Sequence, residues 1–207
     1  MQDFAIEDAK GDNVKVSEVN GITFLRISSS WADGPKTENG AYALYPVLCK
    51  NVLIDGCIAM GSSDAGIYVG QSDSVIIRNS KAYWNVAGIE SENSRWVEIY
   101  GNEAYENTGG ILVFDLPGLT QYGYHTKVYN NNVHDNNHKN FAAKGNIVAS
   151  IPPGTGFMVL ATHDLEITDN DIKDNTTIGI GIVSYDLVAA MNEGEVQQEE
   201  NIGGVQT

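Results

Sequence analysis

The chain has 207 residues, with 12 basic and 27 acidic side chains and a formal net charge of −15. Such a surface repels phosphate backbones and argues against nucleic-acid binding, and no apolar run reaches the roughly 20 residues that a membrane-spanning helix needs. Hydrophobic residues at 42% supply one sizeable core, while 22 glycines and many asparagines predict turns rather than long helices.

In chain order, "QDFAIEDAKGD" already reads as repeat material. No signal peptide precedes it and no N-terminal cap is legible, so the chain is expected to begin mid-domain. Further on, "VLIDGCIAMGSSDAGIYV" (Val52 to Val69), "VIIRNSKAYWNVAGIES" (Val75 to Ser91) and "VEIYGNEAYENTGGILV" (Val97 to Val113) share one skeleton. Anchored on the second apolar residue of each V-x-I pair, the copies start at Phe24, Ile54, Ile77, Ile99, Val128 and Ile167. The basic unit is about 22 residues, and the wider gaps hold insertions.

Alternation with period two predicts strands. A second strand of the form Gly-apolar-x-apolar follows in Gly66–Val69, Gly88–Ser91, Gly110–Val113 and Gly156–Val159. The period is too short for a propeller blade, and the leucine-rich consensus is missing. The prediction is all-β: a single-stranded, right-handed parallel β-helix of about seven coils. Ser62, Asn85, Asn107, Asn136 and Asn175 fall in one column, and Ile27, Cys57, Ser80, Asn102, Asn131 and Asn170 in another. These columns predict hydrogen-bonded ladders at the turns. Cys57 then points inward and Cys49 lies at a turn, so no disulfide is expected.

Insertions in repeat proteins become loops, and loops carry function. Those at 31–42 and 137–155 precede the Gly-apolar strand, and that at 114–125 follows it. Two edges of one sheet thus wall a groove. Its floor takes the outward residues Tyr45, Tyr68, Glu90, Leu112 and Met158, with Glu92 on the same face, Asp64 just before the strand, and Gln71 and Asp115 just after it. Exposed tyrosines beside carboxylates suit a sugar-binding cleft. Tyr45, Tyr68, Glu90, Gln71, Asp115 and Met158 are the candidate substrate-binding residues. Glu90 and Glu92, two apart on one strand face, are candidate Ca²⁺ ligands; no other cofactor is expected. His134 and His138 have i, i+4 spacing, but on a strand and turn this makes no metal pair. His134 shares its register with Tyr83 and Tyr105 and is expected to point outward. Residues 1–186 form the β-helix domain, and 187–207 read as an acidic tail, a short helix over the last coil or disorder.

These repeats, with "NGAYALYPV", "NTGGILVFDLPGL" and "NNHKNFAAKGNIVASIPPGTGFMVLA", resemble the right-handed parallel β-helix repeat proteins of the pectate-lyase-like superfamily, and within it an uncharacterised exported bacterial family. The resemblance runs from about Asp3 to Tyr185. It implies a secreted or periplasmic location and a partner that is another exported protein; it implies no established reaction. The superfamily's lyases bind a uronate through Ca²⁺ and abstract its C5 proton with Lys or Arg, and on that pattern Lys144 and Arg95 are the candidate catalytic bases. The expected function is polysaccharide binding in the groove. The alternatives are a Ca²⁺-dependent uronate lyase or C5-epimerase, a glycosidase using Glu90 and Asp115, and a non-catalytic scaffold for a partner protein or for end-to-end self-association.

Overall fold

Alternating apolar and polar residues give each short strand one face to bury, and a single coil has nothing to bury it against. The computed structural model, which describes residues 1–186, stacks the coils. The tail expected at 187–207 lies outside the described residues. Each strand pairs in parallel with its counterpart one coil away, and the strands form three sheets.

The anchor sheet holds Asn20–Leu25, Lys50–Asp55, Asp73–Arg78, Arg95–Tyr100, Tyr124–Tyr129 and Leu165–Thr168. The short sheet holds Ala5–Glu7, Ser28–Ser30, Ile58–Met60, Lys81–Tyr83, Glu103–Tyr105, Asn132–His134 and Asp171–Lys173. The groove sheet holds Val14–Ser17, Tyr42–Val47, Ala65–Gly70, Ala87–Glu92, Gly109–Phe114, Thr155–Leu160 and Ile178–Val183. This is the expected parallel β-helix of about seven coils.

Inside, like residues stack on like. Ile54, Ile77, Ile99 and Val128 are in register on the anchor sheet, and Ile67, Ile89, Ile111 and Phe157 on the groove sheet. The short sheet contributes Ala59, Ala82, Ala104 and Val133. All are fully buried in one core. Both predicted asparagine ladders are present. Asn107 Oδ1 accepts from the Asn85 backbone N–H at 3.0 Å, and Asn107 Nδ2 donates to Ala82 O at 2.9 Å. Asn102 and Asn131 repeat this at the other corner, where Asn131 Oδ1 accepts from the Asn102 N–H at 3.0 Å. The ladders satisfy buried turn groups that would otherwise each cost about 1–3 kcal/mol.

The ladder also explains the glycine at the second position of the groove-sheet strands from Ala65–Gly70 to Thr155–Leu160. A Cβ on Gly88 would stand 2.8 Å from Asn107 Nδ2 and 2.6 Å from Gly110 O, so the next coil's asparagine occupies the side-chain space. A third, unanticipated ladder closes the remaining corner: the Cys49 N–H donates to Ser72 Oγ at 3.0 Å, and the Ser72 N–H to Ser94 Oγ at 3.1 Å. Cys57 points inward, as expected, and Cys49 is buried as well; both are free thiols. His134 lies on the outer face of the short sheet, stacked on Tyr105 with ring centroids 5.5 Å apart.

Candidate functional site

Alternation sends Tyr68, Glu90, Leu112 and Met158 outward from the groove sheet, in register coil upon coil. Tyr45 lies beside Tyr68, with ring centroids 5.1 Å apart. The insertions sit where expected, two at the leading edge of this sheet and one at the trailing edge. The face itself differs from the expected open groove. Tyr68 is 4% exposed, Glu90 1% and Met158 7%; only Tyr45 is half-buried.

The cause is the loop at 137–155, which folds across the sheet instead of standing beside it. Its Val148 and Ile151 join Ala65, Leu112, Phe114, Met158 and Leu160 in a second apolar cluster outside the coil, with Phe141, Ala142 and Ile147 at the margin. Met158 and Leu112 are therefore the seat of a roof rather than an exposed binding surface. At the other end of the roof the loop reaches the polar floor, where Asn146 Nδ2 donates to Asp64 Oδ2 at 3.1 Å.

Beneath this roof lie three carboxyls, Asp64, Glu90 and Glu92, all buried. Tyr42 hydrogen-bonds Asp64. The Tyr68 hydroxyl donates to Glu92 Oε1 at 2.7 Å, and Gln71 Nε2 approaches the same oxygen at 3.4 Å. Tyr42, Tyr45 and Tyr68 pack ring to ring. Glu90 Oε2 has no hydrogen-bond partner. Burial, and then the neighbouring charges of Asp64 and Glu92, push the Glu90 carboxyl well above its ordinary range. Asp64 is pushed up to about 7, first by burial and then by Glu92, and burial also raises Glu92. Desolvation favours the neutral acid, and like charges cannot all ionise together. The cluster therefore retains protons near neutral pH, and can donate and accept hydrogen bonds at once.

The remaining candidates divide. Asp115 sits at the trailing edge, where its Oδ1 accepts from the Gly123 N–H at 2.9 Å and His163 stands 3.7 Å from Oδ2. Arg95 is held at that same edge: its Nε donates to Tyr122 O at 2.9 Å and its guanidinium lies over the Tyr124 ring at 5.0 Å. Tyr122 belongs to the insertion after the strand, so Arg95 is engaged there rather than with Glu90 and Glu92. Lys144 is exposed on the roof loop, two residues before Asn146. Among the described residues, no group of three or more His, Cys, Asp or Glu side chains is arranged to hold a metal ion.

Tyr42 and Asn146 joined the site unannounced. Tyr42 follows from register, since it pairs with Ala65 beside Asp64; Asn146 carried no sequence signal. No curated protein matches the chain. Residues 5–120, more than half of it, match the family model described as the right handed beta helix region, and with the three parallel sheets already in view the chain belongs to that family.

Proposed function

We propose that the protein binds polysaccharide on the groove sheet, with Tyr45, Tyr68, Gln71, Glu90 and Glu92 as contacts and the loop at 137–155 as a cover that moves aside. The observation behind this reading is the buried acid cluster with its unpartnered Glu90 Oε2. Perturbed carboxyls of this kind concentrate at functional sites. Tyrosine rings give a sugar its apolar face, and neutral carboxyls give its hydroxyls both donors and acceptors. Protonation also lowers the local negative charge that an acidic glycan would meet at the cluster, within a chain of net charge −15. The exported location implied by the resemblance would place the protein where such polymers occur.

The test is affinity electrophoresis in gels cast with alginate, polygalacturonate or neutral polysaccharide. The wild type is expected to be retarded, and Tyr68→Ala to lose about tenfold in affinity. Retardation by an acidic glycan is expected to weaken as pH rises through about 7, the range in which Asp64 ionises. Equal mobility of wild type and variant in every gel would overturn the reading.

The second reading is a Ca²⁺-dependent uronate lyase or epimerase. The unpartnered Glu90 Oε2 favours it; the distant engagement of Arg95 counts against it. Formation of unsaturated uronate, followed by ultraviolet absorbance with and without Ca²⁺, decides it for the lyase.

A further inference from the structure

The anchor sheet carries a cleft on its own outer face, away from the carboxyl cluster. The second residue of five of its six strands drops out of the pairing ladder and takes a left-handed backbone. Gly21, Asn51, Ser74, Trp96 and His125 form this column, with φ of 84°, 53°, 61°, 53° and 55°. Glycine tolerates that conformation readily and asparagine and histidine better than most, whereas a tryptophan there is strained. Trp96 is nonetheless 53% exposed, so the strain does not serve to bury it. One face of its indole is covered by His125, with centroids 4.1 Å apart, and Tyr124 meets it edge-on. The opposite face looks toward Ser74 one coil below. That side chain is short, and its hydroxyl is turned away to donate to Asp73 Oδ1 at 2.8 Å.

The space left is a cleft of about 360 Å³ lined by Trp96, Ser74, Asn51, Leu53, Ile76 and Glu98, together with backbone of the two neighbouring strands. Leu53 and Ile76 are outward positions of the sheet, in register with Glu98. The floor is therefore apolar, one wall is a flat aromatic face, and a carboxylate stands two residues along the same strand from Trp96. Glu98 Oε2 is oriented by the Tyr129 hydroxyl, which donates to it at 2.8 Å.

The geometry points to a saccharide site here: the cleft takes a neutral pyranose ring of a glycan, its axial C–H face against Trp96 and its hydroxyl edge toward Glu98 and Asn51. A volume of this size is that of a small-ligand pocket. A protein partner would need on the order of 800 Å² of its own surface buried, and the apolar floor stops at Lys50 and Asp73 on one side and Lys127 on the other. Glu98 and the net charge of −15 turn away acidic sugars, so the ring is uncharged. This site stands independently of the groove sheet.

The experiment uses the ¹⁵N–¹H signals of the indole N–H groups. The chain has three tryptophans, and the Trp96 signal is identified by its loss in Trp96→Phe. Neutral hexasaccharides (β-glucan, xylan, mannan and α-glucan fragments) are titrated into the full chain. At least one is expected to move the Trp96 signal and not that of buried Trp31. In calorimetry Trp96→Ala is expected to weaken that sugar at least tenfold and Trp96→Phe by less, while Trp84→Ala, just after the short-sheet strand Lys81–Tyr83, leaves it unchanged. A panel that leaves the Trp96 signal in place overturns the proposal, as does a signal that responds to an apolar peptide and to no sugar. Binding lost in Glu90→Gln but kept in Trp96→Ala would overturn it too, and would leave the groove-sheet reading standing.

Discussion

At the scale of single residues, Glu90 is the most instructive. A carboxyl with one oxygen unpartnered and almost no exposure is stable only while it keeps its proton. Its folded-state pKa lies above its unfolded value, as do those of Asp64 and Glu92. The folded chain therefore holds protons that the unfolded chain releases. The stability they contribute is complete at low pH and is lost as pH rises from the unfolded values through the folded ones; for Asp64 that window runs from 3.8 to about 7. Each retained proton gives a slope of about 1.4 kcal/mol per pH unit. Glu90→Gln is expected to flatten the decline above the ordinary glutamate value of 4.5 by up to one such proton. Urea unfolding at several pH values measures it, and an unchanged slope would show that Glu90 is ionised and paired.

At the scale of elements, the roof loop interrupts the repeat and packs on its outer face. It is held by Val148 and Ile151 on the outer apolar cluster and by Asn146 on Asp64. It also carries Lys139 and Lys144, both exposed. Val148→Asp would place a charge among Leu112, Phe114 and Met158, which costs several times more than the lost methyl groups. The expected result is trypsin cleavage within 137–155 about tenfold faster than in the wild type, with the rod intact by circular dichroism, because loops of low local stability open first. Cleavage at the wild-type rate would mean that the roof is held by contacts other than these. The strand pattern was legible because period two decides which side chains face outward. That gave the outward column of Tyr68, Glu90, Leu112 and Met158, yet the same pattern could not tell outward from exposed. The roof rests on Asn146 meeting Asp64, 82 residues away along the chain.

At the scale of the whole molecule, an excess of acidic side chains surrounds a narrow stack of coils, and self-repulsion opposes the compact state. Raising ionic strength from about 20 mM to about 0.5 M shortens the screening distance several-fold. The midpoint of thermal unfolding is expected to rise by a few degrees, and scanning calorimetry at fixed pH measures it. A midpoint that falls with salt would show that surface ion pairs such as Arg78–Asp55 and Lys81–Glu103 outweigh the repulsion.

The sequence by itself determined the repeat, and with it the parallel β-helix, the inward isoleucine columns, both asparagine ladders and the places of the three insertions. All of these follow from local periodicity, since each coil templates the next at a spacing of 22 or so residues, as between Ser80 and Asn102. Only the tertiary structure decided that the insertion at 137–155 lies across the groove sheet, that Arg95 turns to the trailing edge while Asn146 reaches Asp64, and that Trp96 opens one indole face above Ser74. None of these follows a period. Each depends on how a side chain packs against a coil or loop distant in sequence, and such packing is set by shape and burial in three dimensions.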